Sequence, residues 1–365
     1  MSKNGRRILL DALEGKRTER IPTMLFTCGF EYTYKVAGME SWELSCGGTE
    51  EWMKAYRSLI DRHHPDSIMF DGVREACGPA RLVGQDDDTW TVYDSCSRSN
   101  RVLSRLSGHD TSDGLGWLKD VSSVEEARSR IPLHRLSPNY LQSLRRMVDY
   151  AGEDTLVMPS CYNPSYWDAC SALGFERAME SMLLEPELFI GVVEHYQSSE
   201  RARYVQLKEA GAEAIFVSDA WNSSELISPD MFRKFALPCH RFTVDAIHAA
   251  GMKAILWNEG DVRPLLDDEA GVPIDAFGVE QARKGIDISM KDLRRAFGDK
   301  RCLLGNLDSE TLLIDGDKRA IEKEIRRIIE DAGPGLPFIM TTGAPIPSNV
   351  DMETVDAIFE IMGRI

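Results

Sequence analysis

The sequence predicts an α/β fold, a single (β/α)8 TIM-type barrel over residues 1–365, and three observations predict it. Eight short, apolar, β-rich runs recur along the chain, and amphipathic helical patterns separate most of them. No internal repeat, low-complexity tract or Pro/Ser-rich linker divides the chain. Continuous apolar strands alternating with helices imply a parallel sheet covered on both faces, and eight such units close into a barrel.

In order, the chain opens on an amphipathic helix in "MSKNGRRILLDALEGKRTER", which has no continuous apolar stretch or small-residue cleavage site of a secretory leader. The expected strands are 21–26 ("IPTMLF"), 66–70 ("DSIMF"), 155–160 ("TLVMPS") and 213–218 ("EAIFVS"). They continue with 253–257 ("KAILW"), 275–279 ("DAFGV"), 301–306 ("RCLLGN") and 337–342 ("PFIMTT"). Helical patterns cover 228–250, with Ser228-Pro229 as N-cap and first turn, and 290–297. One segment, approximately 80–108, alternates and is punctuated by turns instead; it reads as a β-hairpin insertion after the second strand.

A chain of 365 residues that is 43% hydrophobic can bury a full globular core, and no apolar run reaches the ~18 residues needed to span a bilayer. The net charge of −16 argues against nucleic acid or an anionic membrane as partner, since both select a basic face. Eight scattered cysteines without a C-x-x-C pair suit reduced thiols and a cytoplasmic setting.

In such a barrel the active site lies at the C-terminal strand ends. Those ends carry Thr27, Cys28 and Gly29; Asp71; Cys161, Tyr162, Asn163, Tyr166 and Trp167; Asp219 and Trp221; Asn258 and Glu259; Glu280; Asn306 and Asp308; Thr342 and Gly343. Carboxylates and aromatics dominate, with Arg74, Arg263 and Arg283 the nearest basic groups, which suits acid–base chemistry on a small neutral or aromatic substrate. Asp219 and Glu259 each abut a long apolar run, where partial desolvation makes a carboxyl a usable general acid; Asp71 is the third catalytic candidate. Strand ends are also polar simply because the chain is leaving the core. Cys239 and His240, within "FALPCHRF", read as packing or surface residues, and His63-His64 fall at the far end of the barrel.

Four stretches carry a resemblance: "RRILLDALEGKRTERIPTMLF", "GAEAIFVSDAWNSSELISPDMFRKFALP", "GVEQARKGIDISMKDLRRAFGDKRCLLGNLD" and "TTGAPIPSNVDMETVDAI". Together they resemble the uroporphyrinogen decarboxylase superfamily over nearly the whole chain. That superfamily holds cofactor-free decarboxylases and zinc methyltransferases that pass methyl groups to or from corrinoid proteins. The decarboxylases' Arg-Gln-Ala-Gly-Arg run is replaced here by "FTCGFEY", and their late Gly-His-Gly falls on Gly343-Ala344-Pro345, while Asp71 matches their essential aspartate. The methyltransferases' His-x-Cys falls on Trp257 and Glu259, and their late Cys on Ala344, so the thiolate-rich zinc site is absent.

The resemblance therefore implies a methyltransferase like the methyl-transferring components of O-demethylase systems, moving a methyl group from a small substrate, such as a methoxylated aromatic, to a separate corrinoid protein. Glu259 and Glu280, with Asp219 on the strand before, would hold zinc or another divalent metal through oxygen ligands. A metal-free acid–base cluster of the same residues is the alternative. Tyr162, Asn163, Trp167, Trp221, Trp257 and Asn258 would contact the substrate. The competing readings are a decarboxylase or related lyase using Asp71 or Asp219, and a non-catalytic small-molecule-binding barrel.

Overall fold

The computed structural model describes residues 4–27, 31–71, 80–94, 99–105, 116–132, 136–162, 164–282 and 285–365. Eight strands form one parallel sheet: β1 (Met24–Leu25), β2 (Ser67–Phe70), β6 (Leu156–Tyr162), β7 (Ala214–Asp219), β8 (Lys253–Asn258), β9 (Ala276–Val279), β10 (Cys302–Leu304) and β11 (Phe338–Ile339), neighbours in that order. A parallel bridge between Thr23 and Met340 joins the two ends, with Met24 N–H donating to Met340 O and Met340 N–H to Pro22 O, both at 2.9 Å. All eight expected strands are present, each shorter than or close to its apolar run.

The insertion is larger than a hairpin. It is a three-stranded antiparallel sheet of β3 (Arg81–Gln85), β4 (Thr89–Asp94) and β5 (Ser99–Ser104). The acidic run between β3 and β4 makes the first turn: Asp86 accepts hydrogen bonds from the backbone N–H groups of Asp88 (2.9 Å) and Thr89 (2.6 Å). One face of this sheet buries Trp90, Val92 and Leu103 against Trp42, Cys46, Ala80 and Leu82.

Alternate residues of each barrel strand divide between two hydrophobic clusters, as a period of two requires. Met24, Phe26, Met69, Leu156, Met158, Phe216, Ile255, Trp257, Ala276, Leu304 and Ile339 share the lumen, whose lower end is stopped by Leu9, Ala12 and Leu13 of the first helix (Gly5–Leu13). Leu25, Ile68, Phe70, Val157, Ile215, Val217, Leu256, Phe277, Val279, Leu303 and Phe338 face the surrounding helices. At the N-terminal end Arg20, from the R-x-P segment, pairs with the buried Asp66 (Nη1 to Oδ2, 2.6 Å), which also accepts Thr23 N–H at 2.8 Å.

The helical pattern of 228–250 is broken in the middle. Ser228 Oγ accepts Met231 N–H (3.2 Å), a short α-turn Pro229–Met231 follows, then a π-helical turn Phe232–Ala236, then an α-helix Leu237–Ala249. Pro238 has no N–H to continue the regular ladder, and the wider turn just before it absorbs that loss. Among the described residues no helix is long and apolar enough to cross a membrane.

Candidate active site at the C-terminal end of the barrel

Continuing the strand alternation past the last rung sorts the polar residues of the strand ends into two groups. Asp71 follows Met69, Ser160 follows Met158, Ser218 follows Phe216, Glu259 follows Trp257, Asn306 follows Leu304 and Thr341 follows Ile339, so all six continue the lumen-facing series, and Glu280 does so above Ala276. Asp219 and Asn258 follow Val217 and Leu256, so they face the helices. None of the seven lumen-facing residues is basic.

Within the lumen, Trp257 stands edge-on to Phe26 (centroids 5.2 Å, 85°), Phe26 lies 5.1 Å from Phe216, and Trp257 Nε1 donates to Gly343 O at 3.1 Å. These rings make an apolar floor beneath the polar ring. Glu259 is half-buried, its N–H donating to Asp219 O (3.1 Å), which carries the β7–β8 ladder one residue beyond β8. Glu280 is buried and its Oε2 accepts Gly260 N–H at 2.7 Å. Asn306 Nδ2 donates to the carbonyls of Glu280 (2.9 Å) and Ile288 (3.3 Å), holding the β9 end. Asp71 accepts a hydrogen bond from Ser160 Oγ, and its N–H donates to Tyr56 OH at 3.0 Å. Gly343 is needed for close approach, because a Cβ there would fall 2.2 Å from Gln281 N.

Asp219 and Asn258 belong to a different construction. Both are fully buried, as are His240 and Glu269. His240 Nε2 and Asn222 Nδ2 both bond Asp219 Oδ2, His240 Nδ1 lies 2.9 Å from Glu269 Oε1, and Asn258 Nδ2 donates to that same oxygen at 2.9 Å. Burial alone would push the His240 imidazole toward neutrality, but the Glu269 and Asp219 carboxylates outweigh it and raise its pKa to about 10. His240 is thus neither a packing nor a surface residue. Its signal was present in the sequence: Ala236, Thr243, Val244 and Ile247 place position 240 on the buried face of its helix. Cys239 does pack, its thiol directed at Phe235 O (3.1 Å).

Two of the aromatic candidates, Trp167 and Trp221, lie together. Trp167 and Trp221 lie 6.1 Å apart, and Phe175 is edge-on to Trp221 at 5.4 Å. Trp221 has φ +65°, a left-handed conformation uncommon outside glycine, and its carbonyl accepts Tyr166 OH at 3.1 Å. Asp308 is turned to local work, accepting the N–H groups of Glu310 and Thr311 at 2.9 Å, and Arg263 pairs with Asp261 (2.6 Å). Tyr162 ends β6, with its side chain outside the described residues, as are Cys28, Arg74, Asn163 and Arg283.

Among the described residues no group of three or more His, Cys, Asp or Glu side chains is arranged to hold a metal ion. Glu280 commits one oxygen to Gly260 N–H, and Asp219 faces the helix layer rather than Glu259 and Glu280. The three expected carboxylates therefore do not converge on one point through the described residues.

The family model for uroporphyrinogen decarboxylase (URO-D) matches residues 120–365. The chain belongs to the uroporphyrinogen decarboxylase family. The matched span holds β6 to β11 and their ends, while the three-stranded insertion precedes it. A uroporphyrinogen decarboxylase of Chlorobaculum tepidum is 30% identical over 239 residues, 65% of this chain and 60% of that relative's length. A second, from Chlorobaculum parvum, is 25% identical over the same share of each chain. The chloroplastic uroporphyrinogen decarboxylase of Nicotiana tabacum is 25% identical over 97% of this chain and 85% of its own. Among solved structures, a methyltransferase from Methanosarcina mazei superposes with TM-score 0.74 at 18% identity, covering 99% of both chains. That likeness is one of fold. The curated relatives are named as decarboxylases, which are enzymes, so the barrel mouth is a candidate active site.

Proposed function

We propose that this URO-D family member is a methyltransferase that takes a methyl group from a small substrate, such as a methoxylated aromatic, and passes it to a corrinoid carried by a separate protein. The observation that carries the reading is the character of the lumen ring: Glu259 and Glu280 on adjacent strand ends, an apolar floor of Trp257, Phe26 and Phe216, and no basic residue at the described lumen-facing positions. A porphyrinogen bearing many carboxylates needs cations to receive them, whereas an aryl ether needs an apolar wall and one proton. The neighbour in fold whose name is methyltransferase is consistent with this reading.

In the transfer, the C–O bond of the ether breaks and a bond from carbon to the acceptor cobalt(I) forms, with cobalt supplying the electron pair. The ether oxygen takes the C–O bonding pair and needs a proton to leave as a neutral hydroxyl. Glu259, half-buried at the lumen edge, is the proton donor in this reading, and Glu280 shapes the Gly260 turn beside it. Trp257 forms the floor under the ring, and Trp221 and Trp167 form its side wall.

A decarboxylase reading is favoured by one observation, Asp71 facing the lumen with Ser160 bonded to it, together with the names of the curated relatives. The two separate by assay. Purified protein mixed with cob(I)alamin and a panel of methoxylated aromatics is expected to form methylcobalamin, and Glu259→Gln to lose that activity. Carbon dioxide release from uroporphyrinogen, with no methylcobalamin from any donor, would replace the first reading by the second.

A further inference from the structure

We propose that His240 is the positioning residue of this site: bridging Asp219 and Glu269 behind the sheet, it locks the ends of β7 and β8 together and so sets where Glu259 and Trp221 stand. The role in catalysis rests on the reading of Glu259 as proton donor; the mechanical role does not.

Each ring nitrogen of His240 faces a carboxylate oxygen, Nε2 toward Asp219 and Nδ1 toward Glu269. A neutral imidazole carries one N–H and would turn a lone pair toward one of the two anions. A carboxylate against each nitrogen therefore selects the imidazolium, which donates from Nε2 to Asp219 and faces Glu269 as an ion pair at Nδ1. All three groups are removed from water, so each depends on the others for its solvation, and the bridge has no solvent-exposed substitute.

The bridge is also placed where it has leverage. Asp219 and Asn258 are register partners and the last residues of β7 and β8. Asp219 is held by His240 and Asn222, and Asn258 by Glu269, which His240 holds in turn. The outward side chain of each strand end is thus tied to the same imidazole. The groups predicted to meet substrate come directly after, Glu259 one residue beyond Asn258 and Trp221 two beyond Asp219. Trp221 also needs external restraint, because its left-handed backbone is unfavourable for a non-glycine residue. Its two anchors are Tyr166 OH on its carbonyl and the neighbouring Asn222 in the bridge. Apolar packing in the same place would resist separation but not sliding or rotation of the strand ends. Directional bonds between charged groups resist all three.

The test uses the full chain labelled with 5-fluorotryptophan, the seven tryptophan resonances being assigned by single Trp→Phe changes. His240→Gln is compared with the wild type. Because that variant leaves two carboxylates buried without their cation, the charge-free triple variant Asp219→Asn/His240→Gln/Glu269→Gln is made beside it. The expected result in a folded variant is unchanged Trp52 and Trp90 resonances with shifted or broadened Trp221 and Trp257 resonances. In the methyl-transfer assay kcat is expected to fall about 100-fold, the size of effect a displacement near 1 Å produces, while KM stays within about twofold. Unchanged Trp221 and Trp257 resonances in a folded variant overturn the mechanical proposal. Unchanged kcat, or a rise in KM alone, overturns the catalytic one. A wild type that forms no methylcobalamin overturns the methyltransferase reading instead, and the fluorine spectra still decide the bridge.

Discussion

Glu259 and Glu280 sit on neighbouring strand ends but carry different loads. Glu280 receives the Gly260 N–H at 2.7 Å, and Gly260 is buried at φ +77°. Glu280→Ala strands that donor and is expected to cost about 1–3 kcal/mol in urea unfolding. Glu259→Gln keeps the shape of the side chain and removes its carboxyl proton. It is expected to leave the unfolding midpoint in place and to lower methyl transfer about 10²–10⁴-fold, measured as the initial rate of methylcobalamin formation. An equal loss of stability in both variants would place Glu259 in the scaffold. Residue chemistry at these positions could be read from the sequence, because Glu280 directly follows an apolar run and Glu259 follows one across Asn258. The partner of each could not.

At the scale of the element, β1 is the shortest strand of the barrel along with β11, two residues each, and closure depends on side chains as much as on the ladder. Arg20 and Thr23 both converge on Asp66 at the foot of β2, so one buried carboxylate joins the chain entering β1 to its neighbour. Asp66→Ala leaves Arg20 without that partner and a buried Thr23 N–H without its acceptor. The expected cost is about 2–4 kcal/mol, at or below the range for a fully buried pair because Arg20 is partly exposed, and it is read from the shift in urea midpoint. The R-x-P segment thus appears in this chain as a structural clamp at the end remote from the mouth. The strands themselves were legible, since a continuous apolar β-rich run bounded by polar turns is a local signal. The third strand of the insertion was not: strand number within an alternating segment depends on where the turns form.

Two buried histidines at opposite ends of the barrel bound the stability of the whole molecule in pH. His240, facing Asp219, Glu269, Asn222 and the edge of Phe232, has its pKa raised to about 10 against an unfolded value near 6.5. Its contribution is full below pH about 6.5 and is lost as pH rises through about 10. His63, between Tyr32 OH (2.9 Å) and Asp356 (2.9 Å), is lowered to about 4, because burial outweighs Asp356 and Arg62 adds repulsion. The unfolded chain takes that proton first, so the penalty begins as pH falls below about 6.5 and is complete below about 4. Urea midpoints between pH 4 and 10 are expected to peak near neutrality. His240→Gln should flatten the alkaline limb and His63→Gln the acid one; limbs unchanged in both variants would assign the profile to other groups.

The sequence by itself determined the barrel, the order of its eight strands and the family resemblance, because all three rest on residues close together in the chain. It also put carboxyl and amide residues at the strand ends. Only the tertiary structure decided which way they face. Asp219 and Glu259 looked alike in the sequence, each a carboxyl at the end of an apolar run. Strand alternation turns Glu259 to the lumen and Asp219 to the helices, and a difference of one residue in strand phase exchanges the two roles. The burial of His240 was legible in its helix pattern but its partners were not: they lie 21 residues back and 29 ahead in the chain, and only the closed fold makes them neighbours.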